Sequence, residues 1–183
     1  MKRWEIMLIL EGVRIILRDH IISDLEDMHE WISDNKIMRF LPGMKTSSID
    51  ETKNRLIESI EESLKSNRKK YFFAVLLKTG EIIGDAGFTV LCKNEDGGIA
   101  NIGYFLKKQF WGNGYGTEAA SLMIQYCFEK IKLHKVTAGC DAENRSSEQI
   151  MIKCGMKKEA EYKRHVLING EWRDRLEYAI IKN

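Results

Sequence analysis

"IANIGYFLKKQFWGNGYGTEAASLMIQYCFEKIKLHKVTAGCD", residues 99–141, is the stretch on which the fold turns. Residues 99–107 are rich in β-branched and aromatic side chains and read as a strand. A loop follows with glycine at alternate positions, Gly112, Gly114 and Gly116. Beyond it Ala120, Ile124, Cys127, Phe128 and Ile131 recur at helical spacing, and residues 135–141 read as another strand. Strand, glycine loop, helix, strand is a βαβ unit.

Working outward, "KYFFAVLLK" (70–78) and "EIIGDAGFTVLC" (81–92) precede the first strand of that unit, separated by "TG" and "KNEDGG". Such short, turn-forming connections predict an antiparallel meander of three strands. Upstream, residues 12–19 read as a strand, 23–35 as a helix, 40–43 as a turn and 47–67 as an amphipathic helix with Leu56, Ile57, Ile60 and Leu64 on its apolar face. Downstream, a short helix at 147–154 is closed by Gly155, and two strands flank the Asn169-Gly170 turn. No repeat, no low-complexity block and a single proline, Pro42, leave no place for a domain boundary. One α/β (α+β) domain over residues 1–183 is expected, its core at about 12–182.

Composition bounds the function. With 183 residues, 44% of them hydrophobic, the chain can bury one substantial core. The net charge of +2 is spread over interspersed Lys, Arg, Asp and Glu, which asks for neither nucleic acid nor a membrane surface. Cys92, Cys127, Cys140 and Cys154 have no C-x-x-C spacing and lie in apolar contexts, as expected of reduced, buried thiols in a cytoplasmic protein without a metal site. The opening residues imitate a signal peptide only weakly, since Glu5 and Glu11 bound the apolar run; structure is expected to begin between Met7 and Leu10.

A glycine-rich entry to a helix exposes unpaired N–H groups at a positive dipole end, which suits a pyrophosphate. A plain packing turn gives the same composition. The ATP-binding pattern fails because no Lys follows the glycines. Gly114, Gly116 and Ala119 satisfy a dinucleotide fingerprint, with Asp141 ending the next strand, but five residues, Lys107 to Trp111, separate strand from glycine, and too little chain follows for a second mononucleotide half.

Gln109-x-x-Gly112-x-Gly114 resembles the Q/R-x-x-G-x-G/A signature of the GNAT superfamily of N-acetyltransferases. Residues 101–119, 142–156 and 168–180, and even "NKIMRFLPG" (35–43), resemble the branch of that superfamily that acetylates ribosomal-protein N-termini. The resemblance implies a mixed sheet of about seven strands, mostly antiparallel, with a V-shaped splay between strands 99–107 and 135–141 and helices on both faces. It implies acetyl-CoA as co-substrate, with Phe105, Leu106 and Lys107 pairing with its pantetheine arm. Gln109, Gly112, Asn113, Gly114, Tyr115, Gly116 and Thr117 would hold the pyrophosphate, and Lys107, Lys108 and Arg145 would be within reach of the nucleotide phosphates. Asn144 and Ser147 would approach the sulfur, and Trp31 and Phe40 the acceptor.

Attack of an amine on a thioester needs a neutral amine, donors to the developing oxyanion and a proton for the thiolate. Backbone N–H groups of Phe105 and Leu106 are the expected oxyanion donors and Ser147 the expected proton donor, although Asn and Ser before a helix also serve as caps, and Ser146 to Gln149 has capping-box spacing. Relatives often carry a Tyr where this chain has Met151 and a Glu where it has Asn101. A base is therefore missing, with Asp85, Glu95 and Asp96 as substitutes or as plain surface charge. His20, His29, His134 and His165 show no diagnostic spacing. A site without a base favours an α-amino group, such as a ribosomal or other protein N-terminus, over a Lys amine. A polyamine or aminoglycoside acceptor, a non-catalytic CoA-binding module and an NAD-binding oxidoreductase are the alternatives.

Overall fold

The computed structural model describes residues 7–182. Its elements, in chain order, are β1 (Ile9–Glu11), β2 (Ile15–Asp19), α1 (Leu25–Ile32), α2 (Ile49–Ser63), β3 (Lys70–Leu77), β4 (Ile82–Asn94), β5 (Gly97–Leu106), α3 (Tyr115–Glu129), β6 (Lys135–Asp141), α4 (Arg145–Lys153), β7 (Lys157–Ile168) and β8 (Glu171–Ile181), with 3₁₀ turns at Ile22–Asp24, Ile37–Phe40, Pro42–Met44 and Lys108–Phe110. The eight strands form one sheet in the order β1-β2-β3-β4-β5-β6-β8-β7. All neighbours are antiparallel except β5 and β6, which the α3 crossover makes parallel.

Seven of the eight strands lie where the sequence places them. The eighth, β1, spans three residues, too few for a periodic signal, and pairs with β2 from Ile9↔Arg18 to Glu11↔Ile16. The strand expected from residue 12 starts at Ile15 instead, because residues 12–14 turn the chain and the Gly12 amide donates to the Ile15 carbonyl at 2.9 Å. A doubly wound parallel sheet is absent among the described residues, which removes the dinucleotide reading.

Alternation along each strand sends side chains to two helical layers. Ile15, Leu17, Phe73, Val75, Phe88, Ile102 and Leu106 meet Ala119, Ala120, Met123 and Cys127 of α3 and Met151 of α4 in the main core. On the other face Phe105 packs with Met28, Trp31 and Ile32 of α1 and Leu56 of α2. Leu64, expected on the apolar face of α2, lies past its last turn and is exposed. Cys127 and Cys140 are buried, whereas Cys92, past the register shift of β4, is exposed against expectation.

Phe88 has almost no exposed surface and stacks on Tyr71, with ring centroids 4.4 Å apart. We expect Phe88→Ala to destabilise the fold by about 3–5 kcal/mol, read as a lower urea midpoint at unchanged slope.

Candidate active site

The site begins where the sheet opens. β5 and β6 are paired only from Ile99↔Lys135 to Asn101↔Thr137, and beyond that vertex they part. Asn101 Nδ2 donates to Thr137 Oγ1 at 3.1 Å and closes the vertex. Backbone direction follows from register. The Lys107 amide donates to the Ile83 carbonyl of β4 at 2.8 Å, and Asp85↔Phe105 is the next pair of that parity. The N–H and C=O of Phe105 and Lys107 therefore face β4, and those of Tyr104 and Leu106 face the opening. This corrects the expected donors. Leu106 keeps its amide toward the opening, Phe105 does not, and Tyr104, absent from the sequence reading, takes its place. The Leu106 carbonyl is already taken by Trp111 Nε1 at 2.8 Å.

Beyond β5 the glycine loop turns into α3. Gly112 and Gly114 have φ of +77° and +82°, a conformation that other residues adopt only with strain, and Gly114 is the residue before the helix. No side chain caps that end. The Glu118 amide bonds the Gly114 carbonyl at 3.1 Å, so those of Tyr115, Gly116 and Thr117 have no partner within the helix. Three orphan N–H groups at the positive end of a 15-residue helix form an anion cradle. Gly116 is buried, and a Cβ there would fall 2.8 Å from Ile150 Cδ1, so the same residue lets α4 close on α3. Gln109 is exposed in the 3₁₀ turn before the loop, and Asn113 Nδ2 donates to the Trp111 carbonyl at 3.1 Å.

The loop is braced from the far end of the chain by Arg14, which sequence reasoning missed. Its guanidinium donates to the Asn113 carbonyl at 2.9 Å, pairs with Glu118 Oε2 at 2.9 Å and lies 4.9 Å from the centre of the Tyr115 ring. The Arg14 amide also donates to Glu118 Oε1, at 2.7 Å. Partial burial of Glu118 opposes its charge, but these bonds outweigh it and hold the carboxyl below its ordinary pKa.

Lys107 departs from its expected role. Its parity sends the side chain to the α1 face, where Nζ meets Asp27 at 2.9 Å and Glu30 at 2.7 Å, away from the start of α3. Burial pulls its pKa down, yet the two carboxylates prevail and the ammonium is held above its usual value. Of the other cations, Lys108 is exposed, and Arg145 is exposed and pairs with Glu148 at 2.9 Å.

Across the opening, Asn144 caps α4, its Oδ1 accepting from the Ser147 amide at 3.2 Å. The cap is thus Asn144, not Ser146, and the hydroxyl of Ser147 is left for other work. That hydroxyl lies 3.3 Å from Tyr104 Oη, which is also 3.3 Å from the Ser147 carbonyl. Burial pushes the Tyr104 pKa far up, so at neutral pH it is a donor and not an anion. Met151 is fully buried in the core.

The opposite face of the sheet is open at Gly103, where no described residue lies within 4 Å of a would-be Cβ. Trp31, an expected acceptor contact, has no exposed surface and packs behind Lys107, whose Nζ lies 5.6 Å from the ring centre; it offers nothing to a substrate directly. Phe40 is half-buried beneath the Arg39 guanidinium at 4.8 Å, and Arg39 reaches Glu143 at 3.7 Å, tying the 37–40 turn to the end of β6. There a cavity of about 580 Å³ is lined by Asp141, Glu143, Arg164, Trp172 and Arg173 among others. Among the substitute bases, Glu95 and Asp96 lie in the turn before β5, about 30 Å of strand away from its open end. Asp85 is buried with its Oδ2 3.2 Å from His20 Nε2. Burial disfavours protonation of His20, but Asp85 prevails and raises its pKa.

A sheet parted beside a helix start with free amides suits a strand-like, amide-bearing arm that ends in phosphate. The model of the acetyltransferase (GNAT) domain matches residues 14–157, and the chain belongs to that family. It is an acetyl-CoA-dependent N-acetyltransferase. An uncharacterized N-acetyltransferase of Bacillus subtilis, YnaD, is 28% identical over 170 residues, 92% of this chain and 94% of its own length. The solved structure of RimL, a ribosomal-protein α-N-acetyltransferase in complex with coenzyme A, matches with a TM-score of 0.83 at 21% identity over 95% of this chain and 98% of its own. Spermidine N-acetyltransferase from Vibrio cholerae, in complex with CoA and spermine, matches at 0.80 and 19% identity over 93% and 96%. At these identities the two structures show the fold.

Two predictions come from this geometry. Arg14→Ala should raise KM for acetyl-CoA at least about fivefold with kcat nearly kept, because the brace shapes the cradle without touching the reacting atoms. Equal changes in kcat and KM, or none, would refute that role. Tyr104→Phe should lower kcat about tenfold at unchanged acetyl-CoA affinity, and the loss should vanish in a Ser147→Ala background if the phenol acts by orienting the serine hydroxyl. Additive losses would separate the two groups.

Proposed function

We propose that the acceptor is the free α-amino group of a protein or peptide. The observation that carries this reading is the vertex, where Asn101, a neutral amide bonded to Thr137, stands in the position at which the family resemblance leads one to expect a Glu as base. An α-ammonium with a pKa of about 7.8 supplies a fifth to a third of its molecules neutral at physiological pH, whereas a Lys amine near 10.4 supplies about a thousandth. The likeness to RimL supports a protein N-terminus, and the likeness to the spermidine enzyme supplies the competing reading.

In this reading the chain's own groups divide the work. The amides of Tyr115, Gly116 and Thr117 take the pyrophosphate, and the Tyr104 backbone pairs with the pantetheine arm as a strand would. The Leu106 amide is the donor aimed into the opening for the carbonyl oxygen as charge develops on it. Ser147, held by Tyr104, directs its hydroxyl hydrogen at the departing sulfur. The thiolate then takes the proton that the attacking nitrogen gives up, so no residue ends with a changed charge.

The test is a pH profile. On a peptide with a free N-terminus kcat/KM should rise with an apparent pKa of about 8, following the amine. The same peptide, blocked at the N-terminus and carrying a Lys, should be poorer by up to about 10²-fold, less what the greater nucleophilicity of the Lys amine restores. A flat profile between about pH 6 and 8, or a preference for spermidine, would overturn the N-terminal reading.

A further inference from the structure

Gly139 lies on β6 just where β5 has parted from it. A Cβ at Gly139 would fall 2.5 Å from Glu177 Oε1 and collide with Arg175 Nη2, so the missing side chain makes room for both groups. The register pairs Gly139 with Glu177 and Asp141 with Arg175. Both side chains therefore lie on the face of Thr137 and Asn101, opposite Leu176 and Tyr178, which enter the main core. That is the face on which Gly103 leaves β5 bare. Arg175 Nε bonds Glu177 Oε1, and each side chain is about a quarter exposed. Glu177 Oε2 and the Arg175 Nη atoms bond no described residue. The other charged groups on this rim are already paired: Arg173 with Glu143 at 2.7 Å and Glu171 at 3.0 Å, and Lys107 with Asp27 and Glu30.

We infer that Arg175 and Glu177 are the recognition site for the acceptor's first residue, with Glu177 accepting from the α-amine and Arg175 donating to the carbonyl of that same residue. The inference rests on the N-terminal reading above and deepens it. An N-terminal residue carries an N–H donor and a carbonyl acceptor on the two sides of one Cα, which matches one carboxylate beside one guanidinium. A polyamine has donors only, leaving the guanidinium unmatched and facing a second cation. A Lys side-chain amine has no carbonyl within reach of the same pair. A hydrogen bond to Glu177 also turns the neutral amine so that its lone pair points into the opening. The acceptor then occupies one face of the sheet, and Tyr104 and Ser147 receive the sulfur on the other.

The experiment compares two acceptors, a peptide with a free N-terminus and a simple alkylamine that lacks the carbonyl, on the wild type, Arg175→Gln, Arg175→Lys and Gly139→Ala. Arg175→Gln should raise KM for the peptide at least about tenfold, leave kcat/KM for the alkylamine within about twofold, and leave acetyl-CoA affinity unchanged by calorimetry. Arg175→Lys should restore part of the peptide loss. Gly139→Ala, which displaces the pair without removing it, should reproduce the Arg175→Gln pattern. Equal losses on both acceptors, or no loss on the peptide, would overturn the assignment. If the wild type itself prefers spermidine or a Lys amine, the N-terminal reading falls as well. A wild type that prefers N-termini beside an inert Arg175→Gln sinks the pair alone.

Discussion

The parting of β5 from β6 after three paired residues is the constraint on which the rest of the structure depends. Inside a sheet, an unpaired strand edge leaves backbone donors and acceptors to solvent, and burying one unpaired costs about 1–3 kcal/mol. The open edge here is therefore useful only to a partner that supplies amide groups in a strand's spacing, which a pantetheine arm does. The gap stays open because each strand is held from its other side. β4 pairs with β5 from Gly84↔Leu106 to Asn94↔Gly97, and β8 pairs with β6 along all seven of its residues, from Lys135↔Ile181 to Asp141↔Arg175. Two sub-sheets thus meet at a hinge of three residue pairs, and α3 packs across them.

The crossover that makes the strands parallel also places the cradle. A parallel neighbour needs the chain to travel back along the sheet, so α3 must begin beyond the open end of β5, and its orphan amides arrive beside the opening. Their position is then fixed by something far away in the chain. Arg14 and Glu118 are 104 residues apart, and their contact joins the β1–β2 turn to the first turn of α3. The guanidinium is half exposed, so its charge pairing alone contributes little to stability. Its larger effect is geometric, because it bonds the Asn113 carbonyl between the two left-handed glycines and so fixes the path of the loop between them.

Periodicity made the strands legible, since a half-buried strand must alternate and a short turn must carry Gly or Asn. β6 has the bounds expected of it, and α3 the face. Backbone parity was not legible. Whether Phe105 or Leu106 aims its amide into the opening depends on the register with β4, a pairing of two separate segments that leaves no local pattern in the sequence. The Arg14 brace was hidden for a different reason, as a contact over a hundred residues leaves no local pattern. Trp31 was misassigned although a signal existed: Met28, Trp31 and Ile32 stand at i, i+3 and i+4, the spacing of a core-facing stripe. The resemblance that pointed to an acceptor contact at this end of α1 concerned the neighbouring segment, and local amphipathicity was the better guide.

Small residues decide which face of the opening does which task. At Gly116 the absent side chain lets α4 close on α3, and this brings Ser147 within reach of Tyr104 on the helical side. At Gly103 and Gly139 the absent side chains keep the other side low: no described residue lies within 4 Å of a would-be Cβ at Gly103, and at Gly139 that space is taken by the Arg175–Glu177 pair. The first glycine builds a wall and the other two remove one. A thioester seated between β5 and β6 would thus find hydroxyl donors on its sulfur side and an open, charged approach on the other. In the proposed reading, amine entry and thiol release would be separated by the thickness of a single sheet.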